Sequence, residues 1–270
     1  MPTDLDPRST PAHRGAPVHG DRRELASVAR AMRLLEILAH EPDAGVTELA
    51  QRLQVAKASV DRLLTTLAAA GFVERDAHTR RYRLTLKIAV LADGVRSRTG
   101  IVQLARPHLH ALSERVQEAA NLGVFLDGAL VYADTIPSAS LFRIEARPGT
   151  TLPAYCTAAG KALLAFMSPE QLDNYLDGLD PVRHTRSTLT TTAKIRTELK
   201  AIRRAGYAID RGELLDEAWC VAAPVLGERR LALAAVSATA PRSHFEAKRD
   251  DLISAVIATA RDISGLVAAA

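Results

Sequence analysis

Thr47-Glu48-Leu49-Ala50-Gln51-Arg52-Leu53-Gln54-Val55-Ala56-Lys57-Ala58-Ser59-Val60-Asp61-Arg62-Leu63-Leu64 is the stretch on which the fold turns. Thr47 is a good N-cap and Glu48 suits the positive end of a helix dipole, so a short helix that buries Leu49, Ala50 and Leu53 is expected here. A tight break follows at Gln54–Ala56. The apolar residues then resume at Val60, Leu63, Leu64 and Leu67, the spacing of a helix packed on one side. That helix has no obvious N-cap side chain, and Gly71 stands where a terminating glycine belongs. Upstream, Val28, Met32, Leu35 and Leu38, broadened by Leu34 and Ile37, predict a first helix from Ser27 that ends at Pro42 and Gly45. Downstream, Phe72–Arg75 and Arg80–Leu84 flank the polar turn Asp76-Ala77-His78-Thr79, which reads as a hairpin. Three helices with a tight second break and a hairpin describe a winged helix-turn-helix over residues 25–86.

In that fold the third helix lies in the DNA major groove, and side chains near its N-terminus reach base edges. Lys57, Ser59 and Arg62 are placed for this. Arg80, Arg81 and Arg83, with Arg75, would let the hairpin touch phosphates. Asp61 is an awkward neighbour, since it repels phosphate or accepts from a cytosine amino group. A trihelical bundle with a surface hairpin and no DNA role is the competing reading. Charge favours the DNA-binding reading: residues 75–98 carry seven Lys/Arg against two Asp/Glu, and the remainder of the chain is close to neutral. The formal excess of +4 therefore sits where a wing would meet phosphate.

Residues 1–24 alternate Pro2, Pro7, Pro11 and Pro17 with charged and small residues, and a disordered tail is expected. No apolar leader or uninterrupted membrane-length apolar run occurs, and two cysteines are too few for a disulfide framework. These features fit a cytoplasmic protein. Residues 87–270 are expected to hold a linking helix (about 85–98) and a second domain. A helix over 101–119 contains the awkward Pro107. Leu122–Leu126 and Leu130–Ile136 flank Asp127-Gly128, a hairpin signal. Leu141–Ala146, Tyr207–Asp210, Cys220–Leu226 and Leu231–Thr239 are further strand candidates. Helices are expected at Thr157–Phe166, at Thr192–Ala205 ended by Gly206, and at Phe245–Val267. This order suggests an α+β domain with an antiparallel sheet.

The second domain shows no metal-ligand spacing, no phosphate loop and no nucleophile elbow, so no metal or cofactor is expected. Three places could bind a small molecule. Small residues open a helix at Thr157-Ala158-Ala159-Gly160-Lys161, leaving backbone N–H groups free for an anion. Gly206-Tyr207-Ala208-Ile209-Asp210 precedes Cys220 by ten residues. Ser237 and Thr239, two apart on a strand, point to one face. Each taken alone is usually structural.

Together these segments resemble the IclR family of bacterial transcription regulators over roughly residues 25–268. The likeness lies in Ser27-Val28-Ala29-Arg30-Ala31, Thr47-Glu48-Leu49-Ala50, Ser59-Val60-Asp61-Arg62-Leu63-Leu64 and Tyr82-Arg83-Leu84. It continues in Gly160-Lys161-Ala162-Leu163-Leu164-Ala165, Gly206-Tyr207-Ala208-Ile209-Asp210, Cys220-Val221-Ala222-Ala223-Pro224-Val225 and Ala235-Val236-Ser237. The resemblance implies a GAF/PAS-like effector domain, a homodimer or tetramer, double-stranded operator DNA as partner, and a small organic or aromatic acid as effector. It places the effector on Ala158, Ala159, Asp210, Cys220, Ser237 and Thr239. Tyr155 stands where relatives commonly have His, Thr239 where they commonly have Ser, and Leu215-Asp216-Glu217-Ala218-Trp219 where they have a Glu-Pro-Gly stretch before the cysteine. Two other readings stay open. One is a GAF-like enzyme with Cys156 or Cys220 as nucleophile, although no His lies near either cysteine in sequence. The other is a dimer-forming module with a vestigial DNA-binding part.

Overall fold

The computed structural model describes residues 3–4, 25–40, 43–96, 100–139 and 144–269. They form two compact units, one holding residues 25–96 and the other residues 3–4 and 100–269.

The first unit contains α1 (Ala26–His40), α2 (Val46–Leu53), α3 (Lys57–Ala69), the hairpin β2 (Val73–Arg75) and β3 (Tyr82–Leu84), and α4 (Lys87–Arg96). Its core joins Leu34, Leu38, Leu49, Val60, Leu64, Leu67, Val73 and Tyr82; of the stripe read along the first helix, Leu38 is buried while Val28 and Met32 stay exposed, because the helix turns Leu34 and Leu38 inward. The cap of α2 differs from expectation. Gly45 is the N-cap, and Glu48 Oε2 accepts from its N–H at 3.1 Å, so Thr47 lies inside the first turn. The break after α2 is made by Gln54, in the left-handed region at φ 54°, with Val55 N–H donating back to Ala50 O at 3.1 Å. Ala56 opens α3 without a side-chain cap. Ala44 and Tyr82 exchange two backbone hydrogen bonds, which fixes the hairpin against the start of α2. The linking helix, read from sequence as part of the second domain, clusters with the first unit. Lys87 ties it there: its Nζ donates to Ala70 O at 2.7 Å and lies over the Phe72 ring.

The second unit is a six-stranded antiparallel sheet covered by helices on both faces. Its strands are β4 (Ala119–Leu126), β5 (Ala129–Ile136), β7 (Thr151–Pro153), β8 (Ala208–Arg211), β9 (Ala218–Leu226) and β10 (Ala232–Pro241), in the order β7-β5-β4-β10-β9-β8. The β4–β5 turn has positive φ at Asp127 and Gly128, the conformation of a type I′ hairpin. One face packs on α5 (Gly100–Val116) and α10 (Arg249–Ala269) through Leu122, Val221, Val236, Leu109, Leu252 and Val256. The other packs on α6 (Ala158–Ala165) and α8 (Thr192–Ala205). α5 runs through Pro107 without interruption and stops at Val116, because Ala119 already belongs to β4.

Three local readings are corrected. Residues 169–177, unassigned from sequence, form α7 (Pro169–Asp177); Ser168 caps it, with Gln171 N–H donating to Ser168 Oγ at 3.3 Å. The C-terminal helix divides at Lys248 into α9 (Arg242–Ala247) and α10. Of the Leu141–Ala146 strand, Ile144–Glu145 forms β6 and pairs in parallel with β1 (Thr3–Asp4), inside the segment read as tail; residues 141–143 lie outside the described ones. α10 is the one helix among the described residues long and apolar enough to cross a bilayer. Its Leu252, Ala255, Val256, Ala260 and Ile263 are buried in the core of this unit.

Candidate functional site

On the first unit, the side of α3 opposite Val60, Leu64 and Leu67 presents Lys57 and Arg62 to solvent, with Ser59 half-buried at the helix start. Neither Lys57 nor Arg62 is ion-paired among the described residues. Arg80 is exposed at the tip of the hairpin, at φ 59°. The turn before it is held by Asp76, whose Oδ1 accepts from His78 N–H and Thr79 N–H at 2.9 and 2.8 Å. Those bonds hold its carboxyl below the usual carboxylate range.

The other two wing arginines are occupied. Arg81 donates to both carboxylate oxygens of Glu48, at 2.7 and 3.1 Å, and lies 3.3 Å from Asp43. Glu48 thus has two tasks, capping α2 and anchoring the wing, and both bonds lower its pKa, the backbone bond from Gly45 most. Arg83 donates to Glu74 on the partner strand at 2.6 Å. Arg75 lies over the Tyr82 ring. The basic excess counted along residues 75–98 is therefore partly neutralised within the unit, whereas Lys57 and Arg62 on α3 and Arg80 on the hairpin are exposed and have no ion-pair partner among the described residues.

On the second unit, the strand register assembles four of the six residues expected to bind an effector. Asp210 pairs with Cys220, and Cys220 with Thr239. One row along, Ser237 pairs with Ala222 and with Asn121 of β4. Paired residues on neighbouring strands share a face, and this face packs on α6, because Cys220, Ala222 and Ala235 belong to the cluster that holds Ala158 and Ala159. Small residues allow the close approach: a Cβ on Gly123 would lie 2.5 Å from Leu130 Cδ1 and 3.5 Å from Ala159 Cβ.

α6 enters with its N-terminus open. Its first intrahelical bond runs from Lys161 N–H to Thr157 O at 2.9 Å, so the N–H groups of Ala158, Ala159 and Gly160 have no carbonyl one turn back within the helix. Thr157 does not cap them, since its Oγ1 donates to Pro153 O at 3.0 Å. A helix start of this kind favours an anion.

The sheet supplies a chain of polar groups. Asn121 Nδ2 donates to Thr239 Oγ1 at 3.3 Å, and Thr239 Oγ1 donates to Cys220 Sγ at 3.3 Å. Asn121 Nδ2 also faces Ser237 Oγ at 3.4 Å. The Tyr132 hydroxyl is set against the hydroxyls of Ser237 and Thr239, and burial pushes its pKa up. Burial raises the Asp210 carboxyl to about 7, with the nearby Glu213 adding to the effect. Asp210 Oδ1 accepts from Glu213 N–H at 2.6 Å. Beside it, Lys161, 1% exposed, donates to Ile209 O at 2.8 Å and to Glu213 Oε1, and lies 3.6 Å from Glu198. Lys161 thus clamps the open helix start to the strand that carries Asp210.

Both thiols are free and buried. Burial pushes Cys220 up to about 12 and raises Cys156 as well, with Asp210 acting in the same direction on each. A nucleophilic cysteine needs the opposite shift, so the enzyme reading gains nothing here. Among the described residues no group of three metal-ligating side chains occurs. Sequence reading missed Asn121, Tyr132 and the Lys161–Glu213 pair. For Asn121 a signal was present, as the single amide in the apolar run Ala119–Leu126.

The model of the bacterial transcriptional regulator IclR C-terminal domain matches residues 94–265, and that of the IclR helix-turn-helix domain matches residues 27–77. The chain is 33% identical to the HTH-type transcriptional regulator BhcR of Paracoccus denitrificans, over 90% of this chain and 88% of that one. It is 30% identical to the HTH-type transcriptional regulator KdgR of Escherichia coli, over 89% and 92%. Among solved structures, an IclR transcriptional regulator from Alicyclobacillus acidocaldarius superposes with a TM-score of 0.81 at 26% identity, covering 90% of this chain and 99% of that one.

Proposed function

The chain belongs to the IclR family of bacterial transcriptional regulators, and on that premise we propose how this member reads DNA and what its C-terminal domain senses. It is a DNA-binding regulator rather than an enzyme, with a helix-turn-helix domain and a C-terminal effector-binding domain. α3 enters the major groove, Lys57, Ser59 and Arg62 face the bases, and Arg80 meets the phosphate backbone. Arg81 and Arg83, expected from sequence at the phosphates, serve through their carboxylate partners to hold the wing in place. The protein works in the cytoplasm as a homo-oligomer, so that two copies of α3 meet two half-sites. The solvent-facing Leu25, just before α1, with Val28 and Met32 on that helix, suits a second copy.

The effector is a small organic or aromatic acid. Its carboxylate meets the N–H groups at Ala158 and Ala159, and the rest of the molecule contacts Asp210, Cys220, Ser237 and Thr239. The single observation that carries this is the open start of α6 lying over a buried row of polar side chains. Effector binding shifts the population of oligomer geometries and so the affinity for DNA, and a coupling of about 1–3 kcal/mol suffices.

The test takes the full chain through selection of binding sequences from random duplex DNA. Arg62→Ala is expected to weaken the selected site by about 1–3 kcal/mol, and Ser237→Ala to leave DNA affinity intact while abolishing the response to small carboxylates. Failure to enrich any duplex sequence would overturn the DNA reading. A carboxylate response that persists in Ser237→Ala would move the effector elsewhere.

A further inference from the structure

Asn121 is 1% exposed in the middle of β4. Its amide orientation is fixed by its neighbours. The Cys220 thiol donates toward Val221 O at 3.7 Å, and the one proton of Thr239 Oγ1 goes to Cys220 Sγ. Thr239 can therefore only accept from the amide, which turns Nδ2 toward the two hydroxyls. Asn121 Oδ1 is left buried with no hydrogen-bond partner. Native interiors leave few such acceptors unpaired, because the desolvated carbonyl recovers nothing for the water it gave up. Asn121 also shares its face of the sheet with Ser237, Thr239 and Cys220.

The donors and acceptors at this site are divided. The start of α6 and the Ser237 and Tyr132 hydroxyls can donate, while the Thr239 proton is committed to Cys220 Sγ. Asn121 Oδ1 can only accept. A plain carboxylate has acceptors alone and cannot satisfy it. A carboxylic acid that also carries a hydroxyl group can, since its O–H supplies the missing donor while its carboxylate sits at the helix start. We infer that Asn121 is a specificity-determining residue, which selects hydroxylated carboxylic acids over their deoxy counterparts through Oδ1. This rests on the effector-site reading above and adds a residue and a ligand class to it. A site that must hydrogen-bond a hydroxyl rejects the analogue lacking it, because the buried group is then stranded.

The test is calorimetric titration of the full chain with two matched pairs, lactate against propanoate and 4-hydroxybenzoate against benzoate. In the wild type at least one hydroxylated member is expected to bind about tenfold or more tightly than its partner. In Asn121→Leu that ratio is expected to fall to near one, the loss falling on the hydroxylated member. Should Asn121→Leu fail to fold, Asn121→Ala is read in the same way. A wild-type ratio near one in every pair that binds, or a ratio unchanged in the folded variant, overturns the role of Asn121 and leaves the effector site standing. If no probe binds, or binding is untouched by Ser237→Ala, the effector-site reading fails and this inference fails with it.

Discussion

Replacing Lys161 by Met would remove the cation that holds α6 to the strand of Asp210 while keeping most of its apolar bulk. Lys161 is 1% exposed, and its ammonium group serves Glu213, Ile209 O and, at 3.6 Å, Glu198. Glu213 Oε2 is buried without a partner already, so loss of the ammonium group leaves that carboxylate wholly unpaired. Breaking one side of a buried ion pair costs about 3–5 kcal/mol, and that loss is expected at pH 8. The pH dependence follows from Glu213. Burial raises its pKa above 4.5 and Lys161 is the main influence holding it down, so the variant's carboxyl rises further. A carboxyl whose folded pKa exceeds its unfolded value contributes stability that is complete below about 4.5 and is lost as pH rises through the folded value. The deficit is therefore smaller at pH 5, about 1–3 kcal/mol for a protonated Glu213 and a stranded Ile209 carbonyl. The assay is urea unfolding followed by Trp219 fluorescence. Trp219 is the only tryptophan and packs on Phe245 in the second unit, so it reports that unit alone. Adding Glu213→Gln to Lys161→Met should recover most of the loss at pH 8. A deficit below about 1 kcal/mol at pH 8, or one equal at both pH values, would refute the reasoning, since the penalty for leaving a buried charge unpaired would then be absent.

Two further outcomes follow from the same geometry. Affinity for a carboxylate probe such as 4-hydroxybenzoate should fall as pH rises through about 7, where Asp210 ionises, by up to about tenfold per unit beyond it; Asp210→Asn should flatten the profile, and a titration series at pH 6 to 9 that shows no difference between the two proteins would remove Asp210 from the site. Arg80→Ala should lower the slope of log affinity against log salt for duplex DNA by about one, whereas Arg81→Ala should leave the slope alone and shift the thermal transition of the first unit; the reverse pattern would mean that Arg81 leaves Glu48 for phosphate.

Much of the fold was legible because it is local. The 3.6-residue spacing of Val60, Leu64 and Leu67, the turn at Asp127-Gly128 and the stop at Gly206 act over a few residues, and each is found where the sequence put it. The misses were local competitions as well. Gly45 displaced Thr47 as a cap because Glu48 could reach its N–H, and α7 was overlooked although Ser168, Pro169 and Gln171 carry a capping signature. The site was legible only by likeness to a family. Ala158, Asp210, Cys220 and Ser237 are far apart along the chain, and spacing alone gives each an equally good structural role.

The sequence by itself determined the two-part architecture and the recognition helix, because periodicity and turn chemistry need only neighbours in the chain. Only the tertiary structure decided how the polar groups of the candidate site are used. Strand register brought Asn121 against Ser237 across 116 residues and left its carbonyl without a donor. Packing of the hairpin on α2 gave Arg81 to Glu48 rather than to solvent. Charge and hydrogen bonding act between atoms a few ångströms apart, and which atoms meet is set by long-range pairing that no local pattern encodes.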